Sequence, residues 1–191
     1  MATASIDKRL NIVLDLFRAD GTRIYIHSTP VSRLVFEANY TIFAKTISSM
    51  YADNWSPVVC SRNAWLRMRE IAAADTQRFG DPDALFQEIW RLTTVLQPGR
   101  GGWEQYPFVD FLDGKGVLSE DDVAEVKNYL CFFTAASCFH SHTDRWDLYE
   151  TLTNMGVEIT SLQPMAYGAS LQTSKPEENT GEKETPFSTP S

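Results

Sequence analysis

Residues 118–140, LSEDDVAEVKNYLCFFTAASCFH, decide how the rest of the chain must be arranged. Ser119 is a good N-cap, because its hydroxyl accepts from a backbone N–H that the first turn of a helix leaves unpaired. Glu120, Asp121 and Asp122 then place negative charge where the helix dipole is positive. Val123, Val126, Leu130, Phe133 and Ser137 follow one helical stripe. From Tyr129 onward, Leu130, Cys131, Phe132, Phe133, Ala135, Ala136, Cys138 and Phe139 cover every side, as expected of a helix packed on several faces or joined to a partner. The spacing predicts a long central helix with other segments gathered around it.

With 191 residues, 43% of them hydrophobic and 12% aromatic, the chain can bury a core, and one domain with disordered ends is expected. Seventeen Lys and Arg against 25 Asp and Glu give a formal net charge of −8. That balance argues against sequence-independent binding to nucleic acid, which depends on neutralising phosphates with cationic side chains. No apolar run is long enough to span a bilayer, and no basic segment followed by an apolar one stands at Met1, so a cytoplasmic protein without membrane contact is expected. Cys60, Cys131 and Cys138 are odd in number, and two lie on the apolar helix. Buried reduced thiols fit better than a disulfide framework.

Before the central helix, two β-prone runs flank Ala19-Asp20-Gly21-Thr22. Asp-Gly between such runs predicts a β-hairpin, because Gly accepts the positive φ the turn demands. Ser28-Thr29-Pro30 reads as the cap of a first helix, which carries the stripes Val31, Leu34, Val35, Ala38, Ile42 and Phe36, Tyr40, Phe43, Ile47, Tyr51 and stops near Asp53. A second helix is expected over 61–79, with Ala64, Trp65, Met68, Ile71 and Ala72 inward and Arg62, Arg67, Arg69 and Glu70 mostly outward. A third is read from the spacing of Leu85, Ile89, Leu92 and Leu96. Pro98-Gly99-Arg100-Gly101-Gly102 reads as a flexible connector; it lacks the lysine and hydroxyl of a phosphate loop. Residues 108–112 suggest one helical turn. Asp144 is a cap for a short helix that Gly156 would stop, and 157–162 read as extended. The expected class is mainly α within α+β: an N-terminal lead and β-hairpin over 1–27, a helical domain over 28–171, and a disordered, Glu-, Thr-, Ser- and Pro-rich tail over 172–191.

Three constellations bear on chemistry. Cys131, Cys138, His140 and His142 are a ligand set that zinc accepts, but a continuing helix points the two histidines in opposite directions, and buried thiols with helix-end histidines explain the residues better. Glu120, Asp121 and Asp122 are explained by their place in a first helical turn. Cys60 with His27 is a nucleophile–base combination without any activating context. No catalytic residue, metal or cofactor is assigned.

Four groups of blocks stand out: Ile26-His27-Ser28-Thr29-Pro30-Val31-Ser32-Arg33 with Phe36-Glu37, Tyr40 and Ala44-Lys45-Thr46; Arg91-Leu92-Thr93-Thr94-Val95-Leu96-Gln97-Pro98-Gly99 with Gly102-Trp103-Glu104; Leu118-Ser119-Glu120-Asp121-Asp122-Val123 leading to Phe132-Phe133-Thr134-Ala135-Ala136-Ser137; and Thr160-Ser161-Leu162 with Ala169-Ser170-Leu171. Together they resemble the tail assembly chaperones of long-tailed, siphovirus-type bacteriophages. The resemblance implies a non-enzymatic chaperone that coats the long helical tape measure protein, supports assembly of tail tube subunits around it in the host cytoplasm, and is absent from the mature virion. Self-association is expected. The same resemblance implies a second, frameshift-extended product. After Ser170, Pro186-Phe187 is the one residue pair compatible with a slippery heptamer.

Trp103, Tyr106 and Phe108, beside the glycine-rich loop, together with Phe132 on the central helix, are the expected partner contacts, since large aromatics give contact area at low entropy cost. A structural tail completion or connector subunit is the alternative. A small metal-binding regulator or enzyme using Cys138, His140 and His142 is the more distant one.

Overall fold

A computed structural model of the chain describes residues 2–6, 11–18, 20–55, 57–74, 76, 81, 83–100, 102–137 and 160–161. The chain begins with strands β1 (Ala2–Ile6), β2 (Ile12–Phe17) and β3 (Arg23–Ser28). Helices α1 (Arg33–Ala52), α2 (Pro57–Ala73) and α3 (Ala84–Arg91) follow. Strands β4 (Thr93–Gly99) and β5 (Gly102–Pro107) come next, then a 3-10 turn at Phe108–Phe111, helix α4 (Glu120–Ser137) and the short β6 (Thr160–Ser161). The fold is α+β. The strands form one six-stranded sheet in the order β5-β4-β3-β2-β1-β6, antiparallel except where β6 runs parallel to β1.

The expected hairpin is β2–β3. Gly21 adopts φ +83°, its N–H donates to the Arg18 carbonyl at 3.0 Å, and the Asp20 carboxylate accepts from Thr22 N–H at 2.8 Å. This is the local side-chain turn that Asp offers and the positive φ that Gly tolerates. The hairpin does not stand alone: β1 pairs along β2, and β4 pairs along β3 from Ser28↔Thr93 to Tyr25↔Leu96. A domain boundary at residue 27 would therefore fall inside β3.

Alternation sorts the sheet into two faces. Ile12, Leu14 and Leu16 of β2, Ile24 and Ile26 of β3 and Val95 of β4 point to one side and are buried with the helices in a single core. Val13, Asp15, Phe17, Arg23, Tyr25, His27, Thr94 and Leu96 lie on the other side. Each fully buried aliphatic or aromatic side chain contributes roughly 1.5–3 kcal/mol relative to exposure, so the inner face anchors the helical layer.

In that layer α4 packs on α2, α1 and β2. Its Ser119 cap is as expected and reciprocal: Ser119 Oγ accepts from Asp122 N–H at 3.2 Å while the Asp122 carboxylate accepts from Ser119 N–H at 2.8 Å. Leu130, Cys131, Phe132, Phe133, Thr134 and Ala135 are all buried in succession, which matches the all-round apolar second half. Asn128 is the polar link to the neighbouring helix, its Oδ1 accepting from the Trp65 backbone N–H at 3.0 Å. Arg67 fastens α2 to the end of α1 through Ser49 Oγ at 2.9 Å and Asp53 at 2.8 Å.

Four expectations are corrected. The cap of α1 is Ser32, which accepts from Val35 N–H at 3.3 Å, because Ser28 is held in β3 by its pairing with Thr93. Helix α2 begins at Pro57 rather than Ser61 and ends at Ala73, so the proline rule applied at Pro57, not at Pro30. The third helix stops at Arg91. Leu92 and Leu96 continue its spacing but not its structure, since the β-branched Thr93, Thr94 and Val95 extend as a strand beside β3. Lastly, 98–102 is not a loose connector: Gly99 pairs with Gly102 around a two-residue turn, and Gly102 has φ +132°. Pro98 is tolerated because it lies beyond the last β3–β4 pair, where no N–H is needed. The single turn at Phe108–Phe111 forms as expected. The Asp144 helix and the 172–191 tail lie outside the described residues, and of 157–162 only Thr160–Ser161 is described, as a strand.

Candidate interaction surfaces

Strand geometry divides the aromatic segment after the glycine turn. Trp103 faces the outer side of the sheet, half-buried, with its ring centroid 5.1 Å from that of Tyr25. Tyr106, three residues on, faces the opposite side, where its ring meets Phe111 edge-on at 6.2 Å and its hydroxyl donates to Glu104 at 2.6 Å. That bond to Glu104 also holds the Tyr106 phenol above its ordinary pKa. Phe108 is fully buried, 5.8 Å from Trp90 in an edge-on arrangement. These three residues do not form one surface. Phe132 is likewise core, 1% exposed and edge-on to Phe133 at 6.0 Å. Of the four expected contacts, Trp103 and Tyr106 keep surface, while Phe108 and Phe132 are withdrawn from it by packing. Pro186 and Phe187 lie outside the described residues.

The nucleophile and metal constellations do not come together. Cys60 lies in the helical core, donating weakly to the Trp55 carbonyl at 3.8 Å, whereas His27 is on the outer face of β3, with the sheet between them. Burial pushes both the Cys60 and Cys131 thiols up, Cys131 well above its ordinary value. A thiol so held stays protonated and is a poor nucleophile. Among the described residues no three His, Cys, Asp or Glu side chains converge as a metal site; Cys138, His140 and His142 fall outside them. No helix of the described residues is long and apolar enough to cross a membrane.

The outward Arg62, Arg69 and Glu70 of α2 are exposed as expected; what sequence reading missed is the exposed apolar residues on the outward side of the helical layer. Leu34 is 78% exposed at the start of α1, and Tyr40 and Tyr51 on the same helix are each more than half exposed. On α2, Val59, Arg62, Leu66, Arg69 and Ala73 are exposed at three- and four-residue spacing, one continuous stripe. Trp65 is half-buried at its margin. The Lys127 ammonium of α4 stands 4.8 Å from the Trp65 ring centroid, and the Arg69 guanidinium 5.8 Å. The apolar spacing of Trp65, Met68 and Ala72 signalled only the inward side of α2. Which exposed residues would meet charges from α4 depended on how the helices cross, and no local pattern encodes that.

Comparison of the chain with known protein families, with curated proteins and with solved structures found no match.

Proposed function

We propose that this chain is a non-enzymatic tail assembly chaperone of a long-tailed bacteriophage, binding the tape measure protein and supporting tail tube assembly in the host cytoplasm. The observation that carries the reading is spatial. The separate blocks on which the resemblance rests meet in one unit: Ser28 of β3 lies opposite Thr93 of β4, with their hydroxyls 2.8 Å apart, and Pro98 of β4 lies opposite Trp103 of β5. The remaining well-described blocks are the two ends of α4, packed on the same core. Segments that keep a shared pattern for structural reasons should adjoin in this way. The outward Leu34, Tyr40, Val59 and Leu66 are further support, as an amphipathic helical client binds through apolar positions at helical spacing.

Quantitative mass spectrometry of purified particles and of the assembly lysate tests the proposal. The protein should accompany the tape measure protein in lysate and be missing from finished virions. Its recovery in virions at a fixed stoichiometry would replace this reading with that of a structural tail subunit.

A further inference from the structure

Arg62 and Arg69 of α2 and Lys127 of α4 gather on one side of a chain whose formal net charge is −8. Arg62 and Arg69 stand two helical turns apart, with the 52% exposed Leu66 between them, and Lys127 reaches the same Trp65 ring as Arg69 from α4. The close ion pairs of this neighbourhood use other cations: Glu70 and Asp53 are held by Arg67, and Asp113, whose charge also acts on Lys127, by Lys115. Glu125 of α4 and Arg62 both act on the Tyr129 phenol, Glu125 raising its pKa and Arg62 lowering it.

From this arrangement we infer that the Arg62–Leu66–Arg69 stripe with Trp65 and Lys127 is a binding site for an acidic peptide segment of a partner protein, two carboxylates bracketing an aliphatic side chain. The site stands whether or not the partner belongs to a phage tail. Two turns of helix rise about 10 Å, so carboxylates seven residues apart on one face of a helical segment match the two arginines. The aliphatic residue between them meets Leu66. Trp65 adds a broad flat contact beside Arg and Lys, the pairing typical of desolvated hot spots. Burial, and next the like charge of Arg69, pull the Lys127 ammonium below its ordinary pKa. An incoming carboxylate relieves that repulsion. A nucleic acid backbone is a poorer match, since a duplex carries one charge per ~1.7 Å and is held by a longer cationic track.

The test uses the full chain and a fluorescein-labelled helical peptide carrying Glu, Leu and Glu at positions i, i+4 and i+7, read by anisotropy at low salt. Wild type should bind, and Arg69→Glu or Lys127→Glu should weaken binding by about ten-fold or more. Arg62→Glu, at an exposed position where folding is not at stake, should weaken it in the same direction. Arg33→Glu on α1, an equal change of charge elsewhere, should leave it unchanged. Binding as tight as wild type by both the Arg62→Glu and Arg69→Glu variants overturns the site, as does failure of wild type to bind the peptide. Equal competition by a single-stranded DNA oligonucleotide overturns the assignment to a protein partner.

Discussion

Asp122 ties two distant parts of the chain. Its carboxylate accepts from the Ser119 backbone N–H and hydroxyl, both at 2.8 Å, and from Arg18 at 2.6 Å, so the turn after β2 is fixed to the start of α4. Burial pushes this carboxyl up, but the Ser119 N–H and the Arg18 guanidinium together outweigh it and hold the group below its ordinary value. Because the folded pKa is depressed, the group's contribution is complete above the ordinary carboxylate value of 3.8 and is lost as pH falls through the lower folded value. Asp122→Asn should cost about 1–2 kcal/mol at neutral pH, as both a cap and a charge-assisted bond are weakened. Urea midpoints measured across pH should show the gap from wild type closing in acid. A gap that stays constant to the lowest pH would mean the ion pair contributes nothing.

At the scale of elements, α4 is where a surface role and a core role were hardest to separate. Phe132 and Phe133 are adjacent, so they point about 100° apart and look as though one should face outward. Both are buried because α2, α1 and β2 close on the helix from different sides. Phe132→Asp and Phe133→Asp should therefore each abolish the fold, burying an unpaired charge and losing roughly 3–5 kcal/mol of packing. Circular dichroism of the two variants checks this; a folded Phe132→Asp protein would reopen the surface role. The helix itself was legible because its cap, first-turn charge and apolar run all agreed. The β2–β3 hairpin was legible from Asp20-Gly21 for the same reason. Strand β4 was not: Leu92 and Leu96 kept the helical spacing of Leu85 and Ile89, and the β-branched Thr93-Thr94-Val95 prevails only because β3 offers a paired edge, a tertiary fact. Trp103 and Tyr106 were legible as candidate contacts but not as residues of opposite faces, which follows from the strand assignment alone.

For the whole molecule, the sheet is completed late in sequence. Strand β4 joins β3 only after three helices have intervened, and the core that buries the sheet's inner face is supplied by those helices and α4. Sheet and helices should thus be lost together, in one cooperative transition. Far-ultraviolet circular dichroism follows the helices, and near-ultraviolet signals follow packed aromatics such as Tyr25 with Trp103. The two urea curves should superimpose. Separate midpoints would mean that the outer strands and the helical layer fold as distinct units. The charge pattern belongs to this scale also, for an acidic chain that gathers Arg62, Arg69 and Lys127 on one side has a direction in which it meets an acidic partner.

The meeting of Ser28 with Thr93, with Thr29 N–H donating to the Leu92 carbonyl at 3.1 Å, gives α1, α2 and α3 a common doorway: the chain leaves the sheet and re-enters it at one point. The closure cost of such an excursion grows only logarithmically with its length. The segment between the two strands is therefore a cassette, able to change length with the register of β3 on β4 unchanged. Related chains would then differ most in the size of this helical insert and least in the strands that frame it.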